Sequence, residues 1–283
     1  MERTFDFITD TCCGMPQEYI EAHGVTVLPL GYTIAGETYG GIEGKQLPPK
    51  EFYRLLREGN VCHTFQVTAE QAKPSVEASF KAGRDVVIVT FSSALSGTAS
   101  SFTIAANELM EKYPARKAFI VDSLGGSLGE GMLLEYLVKK ADAGASIEEV
   151  YAYGDWLRHR IAYLFTVDDL DCLRRGGRIS GAVAVVGKLL KIKPLLHANP
   201  KGLLMPIAKI VGRKRSLEAL ADEAAKRSDL SPEDPIYISH GDCEEDAVKL
   251  AALMKERLGE HPTMINFVDP VRGAHGGPGV LAV

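Results

Sequence analysis

The chain has 283 residues, of which 46% are hydrophobic and 24% charged, and a formal net charge of −5. That composition excludes a disordered or collagen-like chain, and no run reaches the roughly 18 apolar residues that a spanning helix needs. The acidic balance argues against nucleic acid as the main partner, and the length suits two domains rather than one small core.

Short apolar runs alternate with helical stretches, the pattern of an α/β protein. "TFDFIT" (4–9), "VTVLPL" (25–30), "DVVIVTF" (85–91) and "KAFIVDS" (117–123) predict buried strands. Helices are expected over 16–24, 49–59, 68–83 and 96–113, then over 128–144 and 146–161. Thr68 with Gln71, and Ser146 with Glu149, have the spacing of capping boxes. A first domain is therefore expected over 1–160, a parallel-sheet, Rossmann-like α/β unit. A second follows over 161–283, with strands in "AYLFTV", "KIKPLLHA", "GLLMPIAKIV", "PIYISH" and "TMINFV" and helices at 213–228 and 244–258. "HANPKGLL" (197–204) carries two turn pairs and predicts a hairpin, which makes the second sheet mixed.

The five cysteines, at 12, 13, 62, 172 and 243, are sparse and odd in number. They suit a reducing compartment better than a disulfide framework. "MERTFDFITD" has no basic-then-apolar leader, so a cytoplasmic location is expected. No cluster has metal-ligand spacing: "HGDC" (240–243) stands alone, as do His63, His159, His197 and His261. "GAVAVVGKL" (181–189) has the wrong spacing for a phosphate loop, and no G-x-G-x-x-G follows the first strand. No metal or dinucleotide cofactor is therefore expected.

"GGSLG" (125–129) is a formal G-x-S-x-G between a strand and a helix. The order Ser127, Asp168 or Asp171, then His275 matches a hydrolase triad. Against it, several residues separate the strand end near Asp122 from Ser127, and the only His-Gly-Gly is at 275–277. The favoured reading is a glycine-rich loop that caps the helix at 128–144. "FSSALSGTASS" (91–101) runs from a buried strand through hydroxyl residues into a helix. It is either an anion site built from helix N–H groups and hydroxyls, or simple N-capping. The stretch lacks Lys and Arg, which suits a single carboxylate better than a polyphosphate. "LRRGGRIS" (173–180) and "KIVGRKRS" (209–216) are basic stretches that read equally as solvated loop and helix start or as contacts for an acidic group.

These pieces occur together in a recognisable order. With "FITDT", "VLPL", "FSSALSGT", "VDS", "LRRGGRIS", "IKPLL" and "AHGGPG", the chain resembles the DegV family of bacterial fatty-acid-binding proteins over almost its whole length. The resemblance implies two α/β domains holding a long-chain fatty acid between them, with no catalysis by the protein alone. It also implies a separate fatty-acid kinase as partner, in phospholipid synthesis, which phosphorylates the bound carboxylate. It places carboxylate binding on Thr64, Ser93, Ser96, Gly97 and His275, a functional arginine on Arg178, and partner docking at Arg213 and Lys214. The chain departs from the family pattern at Phe65, Val67, Val211 and Gly276. The apolar residues of 182–196 are candidates for a tunnel wall. A serine hydrolase using Ser127 and His275 stays open as the alternative, and a relative of the dihydroxyacetone-kinase binding subunit as another.

Overall fold

The computed structural model describes residues 3–42, 44–168, 170–179 and 192–283. The sequence features at 181–189, and the part of the proposed tunnel wall up to residue 191, lie outside the described residues.

In chain order the elements are β1 (Phe5–Asp10), α1 (Gln17–Ala22), β2 (Val25–Leu28), β3 (Gly31–Ile34), β4 (Glu37–Gly40), α2 (Pro49–Arg57) and β5 (His63–Phe65). Then come α3 (Ala69–Lys81), β6 (Asp85–Thr90), α4 (Thr98–Lys112), β7 (Ala118–Asp122), α5 (Leu128–Asp142) and α6 (Ile147–Leu157). The remainder is β8 (Leu164–Thr166), α7 (Asp171–Arg175), β9 (Ile192–Ala198), β10 (Leu204–Val211), α8 (Arg213–Arg227), β11 (Ile236–His240), α9 (Glu244–Leu258), β12 (Thr263–Phe267), α10 (Pro270–Gly276) and β13 (Leu281–Ala282). Both capping boxes form, at Thr68 and at Ser146.

Two compact units result. One comprises Met1–Gly31, Thr38–Lys45 and Phe65–Ile161; the other comprises Tyr32–Glu37, Gln46–Thr64 and Ala162–Val283. The sequence reading drew a single boundary at 160/161, whereas the packing groups the segments 32–37 and 46–64 with the C-terminal half. Nothing in the local pattern of those segments announces this, because it is decided by what their side chains meet.

In the first unit a parallel sheet has the order β2-β1-β6-β7. Its central strands are near-continuous apolar runs, as a sheet covered on both faces requires. Helices α3 and α4 pack on one another and on the sheet, and so do α5 and α6. The chain order reverses between β1 and β6, so the carboxyl ends of these strands form a switch point, the usual place for a ligand in such sheets. Asp10 sits there, fully buried, and accepts hydrogen bonds from Cys12 N (2.8 Å) and Phe91 N (3.0 Å).

In the second unit a mixed sheet has the order β10-β9-β8-β13-β11-β12. The β9–β10 hairpin forms where expected, with Asn199 Oδ1 accepting Lys201 N and Leu203 N across the turn. One apolar cluster, including Leu164, Leu217, Leu220, Ile238 and Leu250, sits beneath α8 and α9. A second cluster joins Val167, Leu173, Ile179, Leu196, Val268 and Val280, from the segments around α7, β9 and α10.

Candidate functional site

His275, flanked by glycines, lies in the last turn of α10. Asp269 caps that helix, accepting Val271 N (2.9 Å) and Arg272 N (3.2 Å), and Pro270 takes the first helical position. Gly277, with φ +75°, ends it. The helix rests on α2. Tyr53, wholly buried, donates to Val268 O at 2.9 Å, and a Cβ on Gly273 would lie 2.6 Å from the Tyr53 hydroxyl and 2.9 Å from Phe52. The same 46–64 segment delivers Thr64, whose Oγ1 lies 2.9 Å from His275 Nε2.

The glycines beside His275 serve the protein's own packing. A side chain on Gly276 would meet Val280, one on Gly277 would meet Cys172, and one on Gly279 would meet Asp168. The residue that makes room for the imidazole is Gly176, at the end of α7, where a Cβ would overlap His275 Nδ1. Arg178 follows it and donates to Gly176 O. Burial, reinforced by the Arg178 charge, pushes the His275 pKa down to about 4. The imidazole is therefore neutral at pH 7, with one N–H and one lone pair. Nε2 is engaged by Thr64, while Nδ1 is buried with no hydrogen-bond partner among the described residues.

Among the described residues this arrangement has no carboxylate in the place of a hydrolase triad's acid. The Asp168 carboxylate pairs with Lys193 at 2.9 Å, and Asp171 pairs with Arg174 at 3.3 Å. Neither engages His275 Nδ1. In the first unit, Ser127 takes φ +64° and ψ −157°, a strained backbone for serine, and its N–H donates to Cys12 O at 2.8 Å. It occupies the N-cap position of α5, yet its side chain makes no capping hydrogen bond.

The serine loop leaves β6 at the switch point of the first unit. Ser92 is buried and its hydroxyl accepts Ala94 N (3.3 Å); Ser93 N donates to Asp122 Oδ1 (3.2 Å) while its residue faces solvent. Ser96 Oγ accepts Thr98 N (3.2 Å) and pairs with Thr98 Oγ1 (3.0 Å), whereas the N-cap position itself falls on Gly97, which has no side chain to cap with. Gly97 begins α4, and a Cβ there would overlap the amide of Gln66. Gln66 Nε2 in turn donates to Ser101 Oγ at 3.1 Å. In sequence, 62–68 puts Thr64 and Gln66 in a loop before a capped helix; the structure places Thr64 in β5, and the close approach to Gly97 gives Gln66 its meaning. Of the two family departures beside it, Val67 is core, and Phe65 covers Gly31, where a side chain would overlap its ring.

The two candidate docking cations diverge. Arg213 turns inward, pairing with Asp246 (2.8 Å) and Asp168 (3.6 Å), and its side chain is 21% exposed. Lys214 points outward at 91%. Among the described residues no group of His, Cys, Asp and Glu is arranged to hold a metal ion, and no helix is long and apolar enough to cross a membrane.

Comparison with known proteins then decides the family. The model of the DegV family, described as uncharacterised, matches residues 4–283. The chain belongs to the DegV family. A DegV domain-containing protein of Clostridium perfringens is 39% identical over 281 residues, covering 99% of this chain and 97% of that one. Among solved structures, a DegV protein from Thermus thermophilus described as binding fatty acid is 28% identical, with a TM-score of 0.88 and coverage of 99% and 98%. A DegV-like protein of Thermotoga maritima, whose structure is said to reveal fatty-acid binding, is 26% identical, with a TM-score of 0.83 over 99% and 98%. The mixed α/β architecture of this chain is that of these DegV structures.

Proposed function

We propose that this DegV protein is a fatty-acid carrier whose Thr64 and His275 receive the carboxylate, and that it presents the bound acid to a separate kinase for acyl-phosphate formation. The observation that carries the reading is the half-buried, neutral His275, paired on one nitrogen with Thr64 and, among the described residues, unpartnered on the other, buried nitrogen. The fatty-acid binding described for the Thermus and Thermotoga relatives supports it.

The physics is consistent. Each methylene buried is worth about 0.8 kcal/mol, so an acyl tail supplies most of the affinity. The carboxylate cannot be buried bare. The hydrogen-bonded Thr64–His275 pair has one proton to give it, from Nδ1–H when Thr64 donates to Nε2 or from the Thr64 hydroxyl when Nε2–H donates to Oγ1, so it is less tightly held than by an arginine fork, which suits a group that must later attack a phosphoryl donor. Burial keeps the His275 imidazole neutral, and the Arg178 charge beside it adds to this until an anion arrives. In this reading the protein is not an enzyme by itself and works in the cytoplasm. Of the two docking cations, Lys214 is the one free to meet the kinase, since Arg213 is held by carboxylates of its own unit.

The test is His275→Ala. Loss of a hydrogen bond to a charged group is worth about 1.5–3 kcal/mol, so fatty-acid affinity is expected to fall about tenfold or more. Native mass spectrometry of the purified protein and a fatty-acid titration both read this. Affinity equal to that of the parent, in a folded variant, removes His275 from the site.

A further inference from the structure

The Asp168 carboxylate stands at the root of both walls that hold His275. It lies shortly before α7, whose end supplies Gly176 against the imidazole. It also packs against the loop that leaves α10: a Cβ on Gly279 would lie 2.5 Å from Asp168 Oδ2, and Gly279 takes φ +80°. Two cations fix this carboxylate. Lys193 Nζ reaches Oδ1 at 2.9 Å and also donates to the Asp168 carbonyl at 3.0 Å. Arg213 approaches Oδ1 at 3.6 Å while its Nε donates to Asp246 Oδ2 at 2.8 Å.

The same guanidinium touches the loop by a second route. Arg213 NH2 donates to Cys243 Sγ at 3.6 Å, and Cys243 Sγ donates to Val280 O at 3.5 Å. Burial pushes the Cys243 thiol up to about 11, so it keeps the proton this second bond needs. Val280 O also accepts Gly241 N, and Gly279 N donates to Gly241 O, each at 2.7 Å. Val280 is the side chain against which Gly276, next to His275, is packed.

We propose that Asp168, clamped by Lys193 and Arg213, is a positioning residue for His275: one carboxylate sets both the approach to α7 and the return of the glycine loop, and so fixes the imidazole between Gly176 and Thr64. Arg213 then belongs to the support of the ligand site rather than to a docking surface. A lysine at 213 cannot span both Asp168 and Asp246 as the planar fork does. The inference rests on the reading of His275 as the carboxylate's ligand.

The experiment compares Asp168→Asn, Arg213→Met and Arg213→Lys with the parent in the full chain. Three quantities are measured: the thermal midpoint, the His275 titration by NMR without ligand, and the affinity for a long-chain fatty acid. The His275 midpoint is expected to rise by at least one pH unit toward the ordinary value in Asp168→Asn and Arg213→Met. Fatty-acid affinity should drop about tenfold, with Arg213→Lys intermediate in both. A merely structural clamp lowers the thermal midpoint and leaves the His275 titration where it was, and that result overturns the proposal. Should Arg213→Met fail to fold, Asp168→Asn, which keeps the side chain's volume, decides alone. A shifted titration with unchanged affinity upholds the positioning role and instead refutes His275 as the carboxylate's ligand.

Discussion

Ser93, Ser96, Gly97 and Thr98 follow one another along a single stretch that leads into α4, where Ser96 and Thr98 bond one another and Ser93 N donates to Asp122 Oδ1. Thr64, Gly176 and His275 come from three distant parts of the chain and meet only because the 46–64 segment packs with the C-terminal half. Both regions carry the neutral donors that the sequence reading assigned to an anion. The loop in the first unit draws on near neighbours and is partly exposed. The imidazole in the second is half-buried, neutral and set by Thr64, Gly176 and Arg178. Such a loop tolerates change because its polar groups have local substitutes. The imidazole does not, because each neighbour that moves leaves an unsatisfied group or a void.

The sharpest way to break this contrast is to add one methyl group in each region. Gly176→Ala places a Cβ on the His275 ring, which is held by Thr64 on its far nitrogen and cannot retreat without losing that bond. Overpacking of this kind costs about 1–3 kcal/mol in stability, and fatty-acid affinity should fall more than tenfold as the imidazole is displaced. Gly97→Ala meets the end of the exposed Gln66 side chain, which can swing away at the cost of its bond to Ser101. Affinity there should change less than threefold. Urea denaturation and a fatty-acid titration on both variants measure the difference; equal losses at the two positions would erase the distinction.

Acid gives the next effect in size, and it belongs to one side only. An unfolded histidine titrates near 6.5, whereas burial and Arg178 hold folded His275 down near about 4. Between those values the unfolded chain binds a proton that the native state refuses. Stability contributed by His275 is therefore full above pH 6.5 and lost as pH falls toward 4, on the order of 2–3 kcal/mol at its greatest extent. In His275→Gln this part of the slope should vanish. Chemical denaturation at pH 7 and at pH 4.5, for parent and variant, measures it. A slope as steep in the variant as in the parent would assign the acid sensitivity to other groups.

How far these regions were legible in the sequence follows from the same difference. The serine loop could be read because its determinants are local: a buried apolar strand, hydroxyls, then a helix. The parallel sheet and the β9–β10 hairpin were legible for the same reason. Helix α10 was hidden by its glycines, although Asp269 followed by Pro270 is a helix-start signal that the residues did carry. The short strands β3, β4 and β5 have too few residues for alternation to show. The pairing of Thr64 with His275 was implied only by family resemblance, and the role of Gly176 by nothing local, since a glycine at a helix end is equally well explained as a cap. Arg213 and Lys214 look alike in sequence because only tertiary packing gives one of them two carboxylates.

The smallest expected effect tests the serine loop. Ser96 Oγ accepts Thr98 N and pairs with the Thr98 hydroxyl, so Ser96→Ala leaves the first N–H of α4 without its side-chain acceptor, a loss comparable to that of a cap. Capping losses are typically about 1 kcal/mol. Thr98 is buried, which keeps its N–H from finding water easily and argues for the full value rather than a fraction of it. The His275 titration should stay where it is, because no bond of Ser96 reaches the groups that set it. A thermal midpoint lowered by a few degrees with an unmoved His275 resonance is the expected pair of results. If instead the His275 titration shifts in Ser96→Ala, the two regions are coupled and neither can be treated as built on its own.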